Sequence, residues 1–168
     1  RQFPDLKETF PKASPGEKPV PLKSPPIPPF NYFGGKYRLR KKIVKKMPPH
    51  KTYVEPFAGA GNVLLAKPPA QREVLGDKNP SIVKVHKAIK HRAAGWKMDP
   101  SRRRWEEIKH TSPSQRSAED QAFFIDHSFG GMSQTYTARG KVGQFDTHRL
   151  HERLKDVTVV NDDFASTM

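Results

Sequence analysis

The chain contains no cysteine, which removes disulfides, thiolate metal sites and cysteine nucleophiles from consideration. Acidic residues are scarce: 17 Asp and Glu stand against 31 Lys and Arg, a formal charge of +14 over 168 residues. Long hydrophobic runs are missing too. The longest, within 62–66 and 157–160, cover four or five residues, far short of the ~20 that a membrane-spanning helix needs, so no membrane segment is expected. Neither an initiator Met nor an apolar leader stands at the N-terminus, so no secretory signal is expected. An intracellular location is expected, with a processed organellar (mitochondrial) protein as one form of it. What is left has the size of one domain with a tail, and its basic excess is expected to meet a polyanion, nucleic acid first. A basic surface kept for solubility alone is the competing explanation.

Proline is abundant where structure is least expected. Nine prolines fall in residues 1–30, at 4, 11, 15, 19, 21, 25, 26, 28 and 29. Each fixes φ, removes a donor and turns its predecessor away from helix. The segment is expected to run as an extended tail, serving either as an anchoring arm or as a loose leader.

Beyond residue 30 the pattern alternates between helix and strand. Residues 36–47 place Leu39, Ile43 and Met47 four apart among lysines and arginines, predicting an amphipathic helix stopped by Pro48-Pro49. Residues 52–57 suit a strand, 62–67 a short helix and 73–77 a second strand. Asn79-Pro80 is a helix start, with Asn as cap and Pro at the first helical position, and the helix is expected to reach about His91. Residues 92–116 are polar and basic. Ser117 with Asp120 predicts a helix to about His127, ended by Gly130-Gly131. A loop or hairpin over 132–146, a short basic helix over 147–155 and a third strand over 157–161 complete the chain. Strand, glycine turn, helix, strand, helix is the rhythm of an open parallel sheet, so an α/β fold is expected.

The motif that carries chemistry is YVEPFAGAGN, residues 53–62. A strand delivers the chain to Gly59 and Gly61 just before a helix, where glycines let the backbone turn tightly and approach a ligand. Asp77 ends the second predicted strand, where an acid can accept hydrogen bonds from a ribose diol. Either feature alone is equally a structural turn or a helix-start charge. Together they point to a nucleoside-bearing cofactor. No phosphate-loop lysine motif is present, which disfavours ATP.

In these blocks the sequence resembles the DNA adenine-N6 methyltransferases, which transfer a methyl group from S-adenosylmethionine. FNYFGGK (30–36) is similar to the family's opening motif, YVEPFAGAGNV (53–63) to its glycine-rich cofactor motif, and LGDKNPSIV (75–83) to its second-strand motif. FFIDHSFGGMSQTYTARGKVGQFD (123–146) resembles the segment lining DNA, and VVNDDFASTM (159–168) the third-strand motif. The resemblance implies a partial Rossmann-like methyltransferase fold, strands one to three, with a helical and loop insertion and the Pro-rich N-terminal extension. It implies S-adenosylmethionine as cofactor, held by Tyr32, Gly34, Gly35, Lys36, Phe57, Gly59, Gly61 and Asp77, with Asp163 and Phe164 beside its adenine. It implies no metal. The nucleic-acid face is expected from Arg38, Arg40, Lys41, Lys42, Lys45 and Lys46, from Arg102, Arg103 and Arg104, and from Arg139 and Lys141 in the loop after Gly130-Gly131.

The sequence departs from the family in one respect. The catalytic Asp-Pro-Pro-Tyr that accepts the amino protons of a flipped adenine does not occur; the Pro-Pro pairs at 25–26, 28–29, 48–49 and 68–69 lack the flanking Asp and Tyr. No catalytic residue is therefore assigned. The chain is expected to be the cofactor half of a methyltransferase, inactive alone, with a second polypeptide covering an open sheet edge. The alternative is a repurposed, non-catalytic basic subunit of a large ribonucleoprotein such as an organellar ribosome, with structural RNA rather than DNA as partner. The expected divisions are a tail (1–30), a cofactor-binding part (31–97), a basic nucleic-acid-contacting insertion (98–150) and a returning strand (151–168).

Overall fold

The computed structural model describes residues 10–12, 14, 16–91, 95–96, 99–138 and 146–167. Three short strands form a parallel sheet in the order β1 (Thr52–Glu55), β2 (Arg72–Gly76), β3 (Thr158–Val160). Thr52 pairs with Arg72 and Glu55 with Leu75; Val74 pairs with Thr158 and Gly76 with Val160. β2 is central and almost entirely buried, as a parallel strand covered by helices must be. β1 lies at an edge, with no strand on its outer side among the described residues.

The crossover from β1 to β2 is α2 (Asn62–Ala66), all five of whose residues are buried. Leu64 and Leu65 join the main core with Leu75, while Val63 and Ala66 pack against Val44 of α1 (Arg40–Lys46). α3 (Pro80–His91) follows β2, and Asn79 caps it by accepting from Ser81 N–H at 3.0 Å. Its apolar positions Ile82, Val85 and Ile89 meet Ala122 and Ile125 of α5 (Ala118–Asp126) and Leu150 and Leu154 of α6 (Thr147–Leu154). Ser117 caps α5, accepting from Asp120 N–H at 2.9 Å. Both α5 and α6 thus share one hydrophobic core with the sheet and α3 rather than standing apart from it. A short helix, α7 (Phe164–Thr167), follows β3.

Two expectations need correction. The first helix begins at Arg40, not 36; Ile43 and Met47 pack half-buried against the Val44 cluster as expected, but Leu39 is 54% exposed and the fully buried positions are Arg40 and Val44. A helix also occupies the stretch read as merely polar and basic: α4 (Arg102–Lys109), capped by Ser101 and buried through Trp105 and Ile108. Its three leading arginines hide an apolar face of only two residues. The tail over residues 19–30 lies against the body: Pro19, Pro26, Pro28, Pro29 and Phe30 are buried, and Leu22 N–H donates to Ala66 C=O at 2.9 Å. Among the described residues no helix is long and apolar enough to cross a membrane.

Candidate cofactor site

β1 and β2 run parallel, so their C-terminal ends open on the same side, where the following turns bring functional groups together. After β1 the chain turns through Gly59 (φ 47°) and Gly61 (φ 68°), a left-handed conformation that side chains rarely accept. A Cβ on Gly59 would also stand 3.0 Å from the Tyr32 ring. Asp77, just past β2, closes the turn: Oδ2 accepts Gly59 N–H at 2.8 Å, and Oδ1 accepts Asn79 N–H at 2.9 Å. On the other side of the turn His86, buried at 1% exposure, donates from Nε2 to Gly59 C=O at 2.7 Å. Burial holds its imidazole below the usual histidine range, so the ring is neutral and the donor tautomer is fixed by the carbonyl it meets.

Around this turn lies a cavity of about 260 Å³. Tyr32, Gly34, Gly35, Lys36, Phe57, Gly59 and Asp77, all expected at the site, line it, together with Glu55 and Asn62. Gly61 contributes by starting α2 rather than as wall. Asp163 does not line the cavity; it is exposed and accepts Ser166 N–H at 3.0 Å. Phe164 reaches the rim indirectly, stacking on Phe57 with ring centroids 5.6 Å apart.

Glu55 and Asn62 are wall residues that the motif does not single out, although both lie within YVEPFAGAGN. Glu55 Oε2 accepts Leu64 N–H at 2.9 Å and the Tyr53 hydroxyl at 3.2 Å. Burial pushes its carboxyl up to about 7, against the pull of those donors and of Lys36. Asn62 is 5% exposed, and its Oδ1 has no partner among the described residues. A buried acceptor without a donor is costly unless a ligand or an ordered water completes it.

The model for the D12 class of N6 adenine-specific DNA methyltransferases matches residues 32–168. The chain belongs to this family. Two DNA adenine methylases of Vibrio cholerae serotype O1, from the classical Ogawa 395 and El Tor Inaba N16961 strains, are each 31% identical to it over 112 residues. The matched region is 62% of this chain and 39% of each methylase, so the chain spans well under half the length of these relatives.

The basic residues expected on a nucleic-acid face of this D12 family member fall into three groups. Arg38, Lys41, Lys42, Lys45 and Lys46 are exposed. Arg40 is not on that face, contrary to expectation. It is 7% exposed, its guanidinium sits 4.0 Å from the Tyr37 ring centroid, and it donates to Pro26 C=O at 3.3 Å. The helix turns it inward to hold the proline segment, and burial lowers its pKa. Arg102, Arg103 and Arg104 carry less free charge than their run suggests. Arg102 pairs with Glu106 at 3.8 Å, Arg103 with Asp99 and Glu107, and Arg104 with Asp120 at 2.6 Å. Arg139 and Lys141 lie outside the described residues.

Proposed function

We propose that this chain is the S-adenosylmethionine-holding part of an adenine-N6 DNA methyltransferase. The observation that carries this reading is the Asp77 carboxylate bridging the Gly59 turn and the start of α3, beside a cavity at the ends of two parallel strands. Each carboxylate oxygen has two acceptor sites and spends one on a backbone donor. Capacity remains for the two hydroxyls of a ribose. The bare Gly34-Gly35 and Gly59 backbone, the Tyr32 ring and the unpartnered Asn62 Oδ1 suit a ligand that is part sugar, part amino acid. Asp77 would hold the ribose, Tyr32 and Lys36 the amino-acid end, and the Phe57–Phe164 pair the side next to the adenine. When bound, the cofactor supplies an activated methyl group on sulfonium.

The chain's own described residues bind and orient; none of them is assigned to accept a proton from a flipped adenine. That acceptor, on this reading, comes from residues outside these 168, on the same polypeptide or a second one, approaching along the side of β1 that has no neighbouring strand among the described residues. DNA is the partner this reading requires, with the exposed lysines of α1 on its phosphates. The ribonucleoprotein alternative draws on the +14 charge and on the proline-rich extension whose residues 19–30 pack against the body; the lysines serve DNA equally. Calorimetric titration with S-adenosylhomocysteine tests the proposal. Binding is expected for the chain and loss of binding for Asp77→Ala; absence of binding to the unmodified chain overturns the reading.

A further inference from the structure

We infer that Asp126 is a positioning residue for the cofactor cavity, acting through Asn31 on Tyr32; this rests on the cofactor reading above. Asp126 is the last residue of α5, with a fully buried side chain. Its Oδ1 accepts Asn31 N–H at 2.9 Å and Asn31 Nδ2 at 3.0 Å, across 95 positions of sequence. Asn31 adjoins Tyr32, whose ring lies over Gly59 and whose C=O accepts Gly35 N–H at 2.9 Å to close the turn that presents Lys36.

A second contact from the same region reaches the same place. Gly131 (φ 72°) lies so close that a Cβ there would stand 2.6 Å from Asn31 O and 2.9 Å from Tyr32 Cα. The end of α5 and the turn after it therefore grip residues 31–32 by hydrogen bonds and by backbone contact.

A carboxylate at a helix C-terminus faces the negative end of the dipole, and its burial is costly unless hydrogen bonds offset it. What the carboxylate accomplishes is to take two donors from one residue and so fix both the main chain and the side chain of Asn31. The cavity wall then stands in place before a ligand arrives, which lowers the ordering cost of binding.

The test is S-adenosylhomocysteine affinity of the full chain and of three variants, with amide hydrogen exchange. Asp126→Ala is expected to weaken binding about tenfold or more, since two charge-assisted bonds disappear. It should speed exchange at 31–36 while α3 stays protected. Asp126→Asn keeps a carbonyl oxygen that accepts both donors and is expected to bind within about threefold of the unmodified chain. Asn31→Ala, which keeps the main-chain bond, is expected to fall between them. Unmodified affinity in Asp126→Ala, or an Asp126→Asn as weak as Asp126→Ala, overturns the role. If Asp126→Ala does not fold, unmodified affinity in Asn31→Ala overturns it. An unmodified chain that fails to bind removes the cofactor reading and this inference with it, whereas normal binding in all variants removes only the inference.

Discussion

Glu55 shows how one residue ties the candidate site to stability. Its carboxyl stands at about 7, raised by burial above its ordinary 4.5. A carboxyl whose folded pKa is raised stabilises the fold while it is protonated, and that contribution fades as pH rises from about 4.5 through about 7. His86 and His127, buried and lowered, act in the opposite sense, because protonating them at low pH destabilises the fold. The comparison with Glu55→Gln isolates the carboxyl: the unmodified chain should lose urea resistance relative to Glu55→Gln between about pH 5 and 7.5. Parallel curves would refute this. The Gly131 contact makes a second prediction. Gly131→Ala must relieve a 2.6 Å approach to Asn31 O at a positive φ, and a cost of about 1–3 kcal/mol is expected in denaturant unfolding.

Among the elements, α1 and α4 are both arginine- and lysine-rich, yet the structure separates them. α4 carries its acids at helical spacing and pairs them with its arginines. α1 has no acid at all. Its Lys42, Lys45 and Lys46 are exposed to solvent, while Lys41 donates to Lys23 C=O at 3.2 Å. Replacing Lys42, Lys45 and Lys46 by Gln should therefore weaken binding to duplex DNA and lower the salt slope by roughly 0.9 for each phosphate left without its cation. The same changes at Arg102 and Arg103 should alter the slope much less. Filter-binding titrations across a salt series decide it; an unchanged slope in the α1 variant removes that helix from the interface. Helix starts are legible in the sequence because capping is local: Ser117 and Asn79 announce themselves within four residues. α4 is not, because two buried apolar residues among eight give too weak a periodicity against a run of arginines.

Across the whole molecule, a buried ionic cluster joins the strap after α2, the central strand and α6. Lys67, fully buried, lies 2.6 Å from Glu73 Oε1, and Arg153 Nη1 lies 2.6 Å from Glu73 Oε2. Arg153 Nη2 also donates to Leu64 C=O at 2.7 Å. Burial alone would raise the Glu73 carboxyl, but the two cations hold it below the usual range. Removing Arg153 leaves Glu73 with Lys67 still 2.6 Å away but takes the donor from Leu64 C=O, so Arg153→Met is expected to cost about 1–3 kcal/mol in urea unfolding. A cost under about 1 kcal/mol would show the cluster to be replaceable. At this scale the proposed division of labour is also testable. Tritium transfer from S-adenosylmethionine to adenine-containing DNA should stay at background with these 168 residues alone.

The parallel α/β order, the glycine turn and the acid that meets it could all be read along the chain, because each depends on near neighbours: a strand followed by Gly-Ala-Gly, a strand followed by Asp. The family was legible in the same way, through blocks whose spacing survives. Which charges are free was not. Arg40 and Lys45 are indistinguishable by charge and lie on one short helix, yet one is buried under the proline segment and the other is in solvent. The pairing of Asp126 with Asn31, 95 residues away, was equally invisible. Long-range partners are chosen by how elements pack, and packing is a property of the whole chain rather than of any window of it.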